Sequence, residues 1–302
     1  MSYFANGHFA KSDNAGFIMV SGVESIDFLQ SILTANVGTI AIGDCRPAAL
    51  LTPQGRILID MMVYRPSDQN IYLQTDQARA GDLLARLRRY RLRRPVTLEQ
   101  SQDMHLTLWW GYDGTLKPED DRIYLDPRHA DLGCRVISSS ADLPPVLKEA
   151  KPAAFENWQA RRIMQAIPEG TIDLVPERAL MLEAGLDRLG AVDFEKGCYV
   201  GQEVTARTHY RGLVKRRIVP VAVNGGRPES GAEISDGARR LGTVLSTAKT
   251  EDGAVCLAAM KLSDIHRVQA DDPDLVADGL PARMMIPDWM LPLPDPSRTD
   301  SN

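Results

Sequence analysis

A chain of 302 residues is long enough for two domains, or three small ones, at about 150 residues each. With 44% hydrophobic and 25% charged residues it has an ordinary globular composition, which excludes disordered, collagenous and fibrous classes. The net charge of −5 argues against a protein that coats nucleic acid, and no apolar run approaches the ~18 residues of a membrane helix, so a transmembrane role is excluded.

In chain order, Met1–His8 shows neither a signal nor a transit pattern, which predicts a mature intracellular chain. Phe17–Val20 reads as a strand. Ser21 or Ser25 then caps a helix whose face is Ile26, Leu29 and Leu33. Ile57–Tyr64 and Ile71–Thr75 read as strands of a hairpin around the turn residues 66–70, and Ala78–Tyr90 as a helix with Leu83, Leu84 and Leu87 on one side. Arg86, Arg88, Arg89, Arg91, Arg93 and Arg94 follow closely, either a solvated helix end or an anion site. Val96–Leu98, Leu106–Trp110, Ile123–Leu125 and Cys134–Ile137 supply further strands, too closely spaced for a doubly wound sheet, so the class is α+β. Prolines around Leu143–Pro145 and Lys151–Pro152 mark a connection, and Phe155, Trp158, Ile163 and Ala166 recur at helical spacing. From Leu213 the chain turns to strands at Lys215–Val223, Leu241–Ser246 and Ala254–Lys261, which predicts a small β-barrel or sandwich. Pro287, Pro292, Pro294 and Pro296 predict an extended or disordered tail.

Cys45, Cys134, Cys198 and Cys256 form neither a C-x-x-C pair nor a Cys/His cluster, which predicts a reduced compartment and no resident metal site. No P-loop and no G-x-G-x-x-G is present. The densest chemistry lies between Phe194 and Gly212. Gly197 and Gly201 bracket Cys198, with Lys196 beside it. If a helix begins near Gly201, its dipole and Lys196 both favour the thiolate. Gln202 and Glu203 add an amide and a carboxylate, and Arg207 follows Glu203 at i+4. The alternative is a cysteine that serves as a small buried hydrophobe.

The run Lys196-Gly197-Cys198-Tyr199-Val200-Gly201-Gln202-Glu203 resembles the K-G-C-Y-x-G-Q-E signature of the YgfZ-type folate-binding proteins, relatives of the glycine-cleavage T protein that include a mitochondrial iron–sulfur assembly factor. The resemblance extends through Leu51–Asp60, Tyr90–Arg93, Ile167–Gly170, Leu182–Leu186 and Arg211–Arg217. It implies two intertwined ferredoxin-like α+β domains around a central folate channel, plus a C-terminal β-barrel. The expected boundaries are 1–95, with segments returning from later in the chain, 96–212 with the signature loop, 213–286 for the barrel and 287–302 for the tail.

The resemblance further implies tetrahydrofolate or a derivative as cofactor, and a role in maturation or repair of iron–sulfur proteins, including cluster-dependent tRNA-modifying enzymes. Assembly proteins or client apo-enzymes would be the partners, and Cys198 a redox group or a ligand to a cluster shared transiently with one of them. The catalytic candidates are Cys198, Lys196 and Asp60, the last where the T-protein relatives carry an acid near the folate nitrogens. Gln54, Arg56, Asp60 and Glu183 are the folate-binding candidates. Asp60 could instead lie on the solvent side of an edge strand, and Glu183 on an exposed helix face. The T-protein segment L-R-x-E-A-G aligns either with Arg162–Pro168, where Met164 replaces the glutamate, or with Leu182–Gly185 in another frame. Three readings follow: an assembly or repair factor, a folate-dependent aminomethyl or C1 transferase that uses Asp60, and an RNA binder that uses the arginine cluster, which the net charge disfavours. The expected location is cytoplasmic, or the mitochondrial matrix in a eukaryote.

Overall fold

The computed structural model describes residues 7–112, 120–139 and 144–295; the readings placed on 1–6, on Leu143 and on 296–302 lie outside them. The chain forms two compact units: Met1–Leu51, Leu58–Trp158 and Leu189–Val200 make the first, and Thr52–Ile57, Gln159–Arg188 and Gly201–Asn302 the second.

The first unit holds β1 (His8–Ser12), β2 (Ala15–Ser21), α1 (Ser25–Gln30), β3 (Cys45–Leu51), β4 (Ile57–Tyr64), β5 (Asn70–Asp76), α2 (Gln77–Arg91), β6 (Thr97–Ser101), β7 (His105–Trp110), β8 (Ile123–Leu125), β9 (Cys134–Ser138) and β10 (Lys151–Pro152). They form two sheets, β3-β4-β5-β2-β6 and β10-β1-β7-β9-β8. β2 carries Phe17, Ile18 and Val20, all buried, so it needs a partner on each edge. β5 and β6 supply them, both antiparallel. β1 pairs instead with β7, so the sheets interleave along the chain and strands cross the 95/96 boundary.

α2 buries Ala80, Leu83 and Leu87, at spacings of three and four, into a core with Ile18, Val20, Leu73 and Leu98. Each of the leucines contributes about 1.5–3 kcal/mol on burial. A second core gathers Trp109, Ile123, Cys134, Val136 and Leu147. One charged knot is fully enclosed: Arg135 donates to Tyr64 Oη at 2.6 Å, to Gln74 Oε1 at 2.6 Å and to Asp126 Oδ2 at 3.0 Å, while Arg128 donates to Asp126 at 2.7 Å. Burial alone would raise the Asp126 pKa, but the two guanidinium groups bring it down to about 2.

In the second unit lie α4 (Gly170–Asp173), α5 (Gln202–Tyr210) and α6 (Leu262–Asp271); α3 (Phe155–Met164) enters it from the first. The strands β11 (Arg216–Asn224), β12 (Glu233–Ser235), β13 (Arg240–Thr250), β14 (Gly253–Lys261), β15 (Leu275–Ala277) and β16 (Leu280–Met284) close a barrel in the order β11-β14-β13-β12-β15-β16. Arg162 donates to Asp173 Oδ2 at 2.7 Å and to Ser246 Oγ at 3.1 Å, fastening α3 and α4 to β13.

Residues 287–295, the described part of the expected tail, hold one short 3-10 turn at Asp288–Met290 and are tied down by specific contacts. Met290 is buried, Trp289 Nε1 donates to the Gln165 carbonyl at 2.8 Å, and Arg188 donates to the carbonyls of Met290 and Pro292. Proline lacks an N–H but keeps its carbonyl, so a proline-rich segment can still be held through its acceptors.

Candidate functional site

The signature is divided between the units: residues up to Val200 belong to the first, and from Gly201 onward to the second. In the first unit, Asp193 Oδ1 accepts the backbone N–H groups of Glu195 at 2.8 Å and Lys196 at 2.9 Å, an Asx-type turn. Burial would raise the Asp193 pKa, but these N–H groups and the Asn36 side chain hold it below the usual carboxylate range. The Asp193 N–H itself donates to the Thr34 carbonyl at 3.1 Å.

Lys196 closes the turn from the inside. Its Nζ donates to the carbonyls of Leu33 and Ala35, both at 2.7 Å, and stands 5.2 Å from the centroid of the Tyr199 ring. Burial pushes its pKa down to about 8 against the opposing charge of Asp193. The sequence reading set this ammonium beside the thiol as a promoter of thiolate; the structure turns it inward, onto main-chain carbonyls. Cys198, two residues on, is exposed, whereas Cys45, Cys134 and Cys256 are buried. A buried lysine and the buried ring of Tyr199 therefore anchor the loop on either side of an outward-facing thiol.

The second unit holds the other half of the candidates. Thr52–Ile57 is a tight turn in which Gly55, at φ +75°, approaches α5 so closely that a Cβ would meet Val204 Cβ at 3.2 Å and the Gly201 carbonyl at 3.3 Å. Gly201 caps α5 at φ +83°, a left-handed conformation open to glycine. The turn is laced to residues 177–180: Ile57 N–H donates to the Ala179 carbonyl at 2.9 Å, Glu177 N–H to the Ile57 carbonyl at 2.7 Å, and Arg56 Nη1 to the Arg178 carbonyl at 2.7 Å. Gln54 is exposed in the same turn. Of the remaining signature residues, Gln202 is half-buried and Glu203 and Arg207 are exposed along α5.

Beside that lacing lies a pocket of about 370 Å³ whose polar wall includes Arg178, Glu183, Arg216 and Arg217, and whose apolar wall includes Leu180, Ile218 and Leu245. Glu183 is half-buried within a run of turns, which removes the reading of an exposed helix residue. Burial raises its pKa, while Arg216, Arg56 and Arg217 pull it back. Arg217 is buried and donates to the Leu182 carbonyl, fixing the peptide that precedes Glu183. Of the two L-R-x-E-A-G frames, Leu182–Gly185 is the one that gives the pocket a carboxylate, Glu183; the other acid of the lining, Asp173, is paired with Arg162. Met164 is exposed at the end of α3 and does not line it.

Asp60 belongs to the first unit, half-buried on β4, with its carbonyl accepting Thr75 Oγ1 at 2.9 Å. β4 lies between β3 and β5, which overturns the edge-strand alternative. The sequence reading did not single out Asp193 or Arg178. Asp193 had a signal in its spacing, two and three residues ahead of the N–H groups it caps, whereas Arg178 is a lone cation that acquires meaning through the turn laced to it.

The pocket suits a folate in chemistry: a partly buried carboxylate can accept from the amide edge of a pterin, and guanidinium groups can meet carboxylates. Among the described residues no group of three or more His, Cys, Asp and Glu could hold a metal ion, and no helix is long and apolar enough to cross a membrane.

Residues 10–109 match the GCVT N-terminal domain family, and residues 215–292 the CAF17 C-terminal β-barrel domain family. The glycine cleavage system aminomethyltransferase T from Bartonella henselae is similar in structure at a TM-score of 0.74, over 95% of this chain and 87% of that one, with 15% identity. The architecture is thus the aminomethyltransferase-like α+β fold with a closed six-stranded barrel. Among curated proteins, the mitochondrial iron–sulfur cluster assembly factor IBA57 of Mus musculus is 30% identical over 92% of this chain and 84% of its own length. The IBA57 homolog of Mycosarcoma maydis is 33% identical over 70% of the chain and 56% of its own length, and that of Pyricularia oryzae 32% over 67% and 54%. The chain belongs to the IBA57 family of iron–sulfur cluster assembly factors. It spans little more than half the length of these two fungal relatives.

Proposed function

We propose that this protein supports maturation or repair of iron–sulfur proteins by presenting Cys198 as a ligand to a cluster in transit, and that it binds tetrahydrofolate or a derivative at the Glu183 pocket. The observation that carries the first part is the outward thiol on an anchored loop, the one exposed cysteine of the four. A single thiol cannot supply the four thiolates typical of a cluster, so the cluster is cargo shared with a partner, an assembly protein or a client apo-enzyme. On ligation Cys198 gives up its proton and binds as thiolate.

Glu183 would hold the pterin amide edge, Arg178 and Arg216 the glutamate tail, and Arg217 would keep Glu183 in place. A reduced folate, when bound, supplies a carrier for a one-carbon unit or a reducing equivalent. The chain's own contribution is to bind and orient it and to keep an acid at the pterin. The relatives are named as mitochondrial, which favours a mitochondrial location, for which we propose the matrix, over the cytoplasm, and tRNA-modifying cluster enzymes are the proposed clients.

A folate-dependent aminomethyl or C1 transferase is the second reading, favoured by Glu183 in the 182–185 frame. It would use Asp60 to place or protonate a folate nitrogen and have little need of Cys198. The deciding experiment assays several iron–sulfur enzymes, including a tRNA methylthiotransferase, in cells that lack the protein and carry wild type or Cys198→Ser. Rescue by wild type alone supports the assembly reading; equal rescue by both sinks it.

A further inference from the structure

The last turn of α2 and the residues after it carry a surface that neither the pocket nor the thiol loop uses. Arg79 and Arg86 are paired with Asp82, at 3.0 and 2.8 Å. Arg88, Arg89 and Arg93 are exposed, and their side chains have no hydrogen bond or ion pair among the described residues. Between them Leu92 is 83% exposed and ends the helix at φ +52°, ψ −116°. A leucine at positive φ is strained, and at this exposure it recovers nothing by packing within its own chain. Solvated arginines alone would be a helix end that complements its dipole. A strained, solvent-facing leucine among them adds an apolar element to that cationic surface.

We propose that Arg88, Arg89, Leu92 and Arg93 form a docking surface for an acidic amphipathic helix of a partner protein. The arginines would meet carboxylates along its polar face and Leu92 its apolar stripe. Charge complementarity selects an acidic partner, and an aliphatic side chain such as Leu92 favours the apolar stripe of a protein helix over the aromatic base faces that a nucleic acid would offer. This inference is independent of the folate and cluster assignments.

The test uses the full chain and three labelled probes: an acidic Glu/Leu peptide helix about five turns long, the same composition scrambled to destroy the stripe, and a single-stranded RNA of matching length. The amphipathic peptide should bind more tightly than the other two, and more weakly as salt rises from about 50 to 200 mM. Arg88→Glu with Arg89→Glu should weaken it about tenfold. Leu92→Gly should weaken it severalfold while raising the melting temperature, since glycine relieves the positive φ, so that loss of binding is separated from loss of fold. Equal binding of the scrambled peptide, tighter binding of the RNA, or unchanged affinity in Leu92→Gly would each overturn the proposal.

Discussion

The signature loop and the Glu183 pocket place their reactive groups in opposite ways. In the loop, the buried cation Lys196 is bound to main-chain carbonyls and the thiol of Cys198 faces solvent. In the pocket, the carboxylate is half-buried and arginines form part of the wall around it. A displayed thiol suits handing something to another macromolecule, whereas a recessed acid among cations suits retaining a small anionic ligand. The structure thus puts the exposed thiol in one compact unit and the half-buried acid in the other, the arrangement the proposed transfer contact and binding slot would need.

The comparison can be broken most forcefully by unsettling one unit and asking whether the other's chemistry changes. Asp126→Asn leaves two buried guanidinium groups without their counter-charge and should cost about 3–5 kcal/mol of stability in denaturant unfolding. Because the folded pKa of Asp126 lies near 2, below its ordinary 3.8, its stabilisation is present above about 3.8 and is lost as pH falls through 2. The acid limb of the wild-type stability curve should therefore be missing from the variant.

Lys196→Met sharpens the comparison within the loop. It leaves the Leu33 and Ala35 carbonyls without their donor and should cost about 1–3 kcal/mol. Burial lowers the folded pKa of Lys196 to about 8 from its ordinary 10.5, so the folded state releases its proton first and stability rises between those two values. That rise should disappear in the methionine variant. Gly55→Ala strains the turn that is laced to the pocket segment and should cost about 1 kcal/mol or more, read as a lower melting temperature. Cys198→Ser, at an exposed position, should change stability by no more than about 0.5 kcal/mol, as a matched thermal melt would check.

Much of the frame was legible because burial leaves a period. Leu83 and Leu87 on α2 and the hairpin at 57–75 declared themselves through spacing and turn residues. Three-residue strands such as β12 and β15 carry no period, and their pairing is settled by barrel closure. α6 did carry one, with Leu262, Ile265 and Val268 spaced by three, but it follows β14 without a break residue. At the site, the glycines and Cys198 were readable as residues that need special backbone or exposure. The inward turn of Lys196 was not, because its acceptors are carbonyls about 160 residues away, which any sequence could supply. Trp289 and Met290 were hidden by the prolines around them.

The most direct test of the division of labour is titration calorimetry of tetrahydrofolate into wild type, Cys198→Ser and Glu183→Gln. Cys198→Ser should bind as wild type does, and Glu183→Gln should bind about ten- to a hundredfold more weakly, the loss of a hydrogen bond to a charged group. Weakened binding by the serine variant with full binding by the glutamine variant would contradict the account.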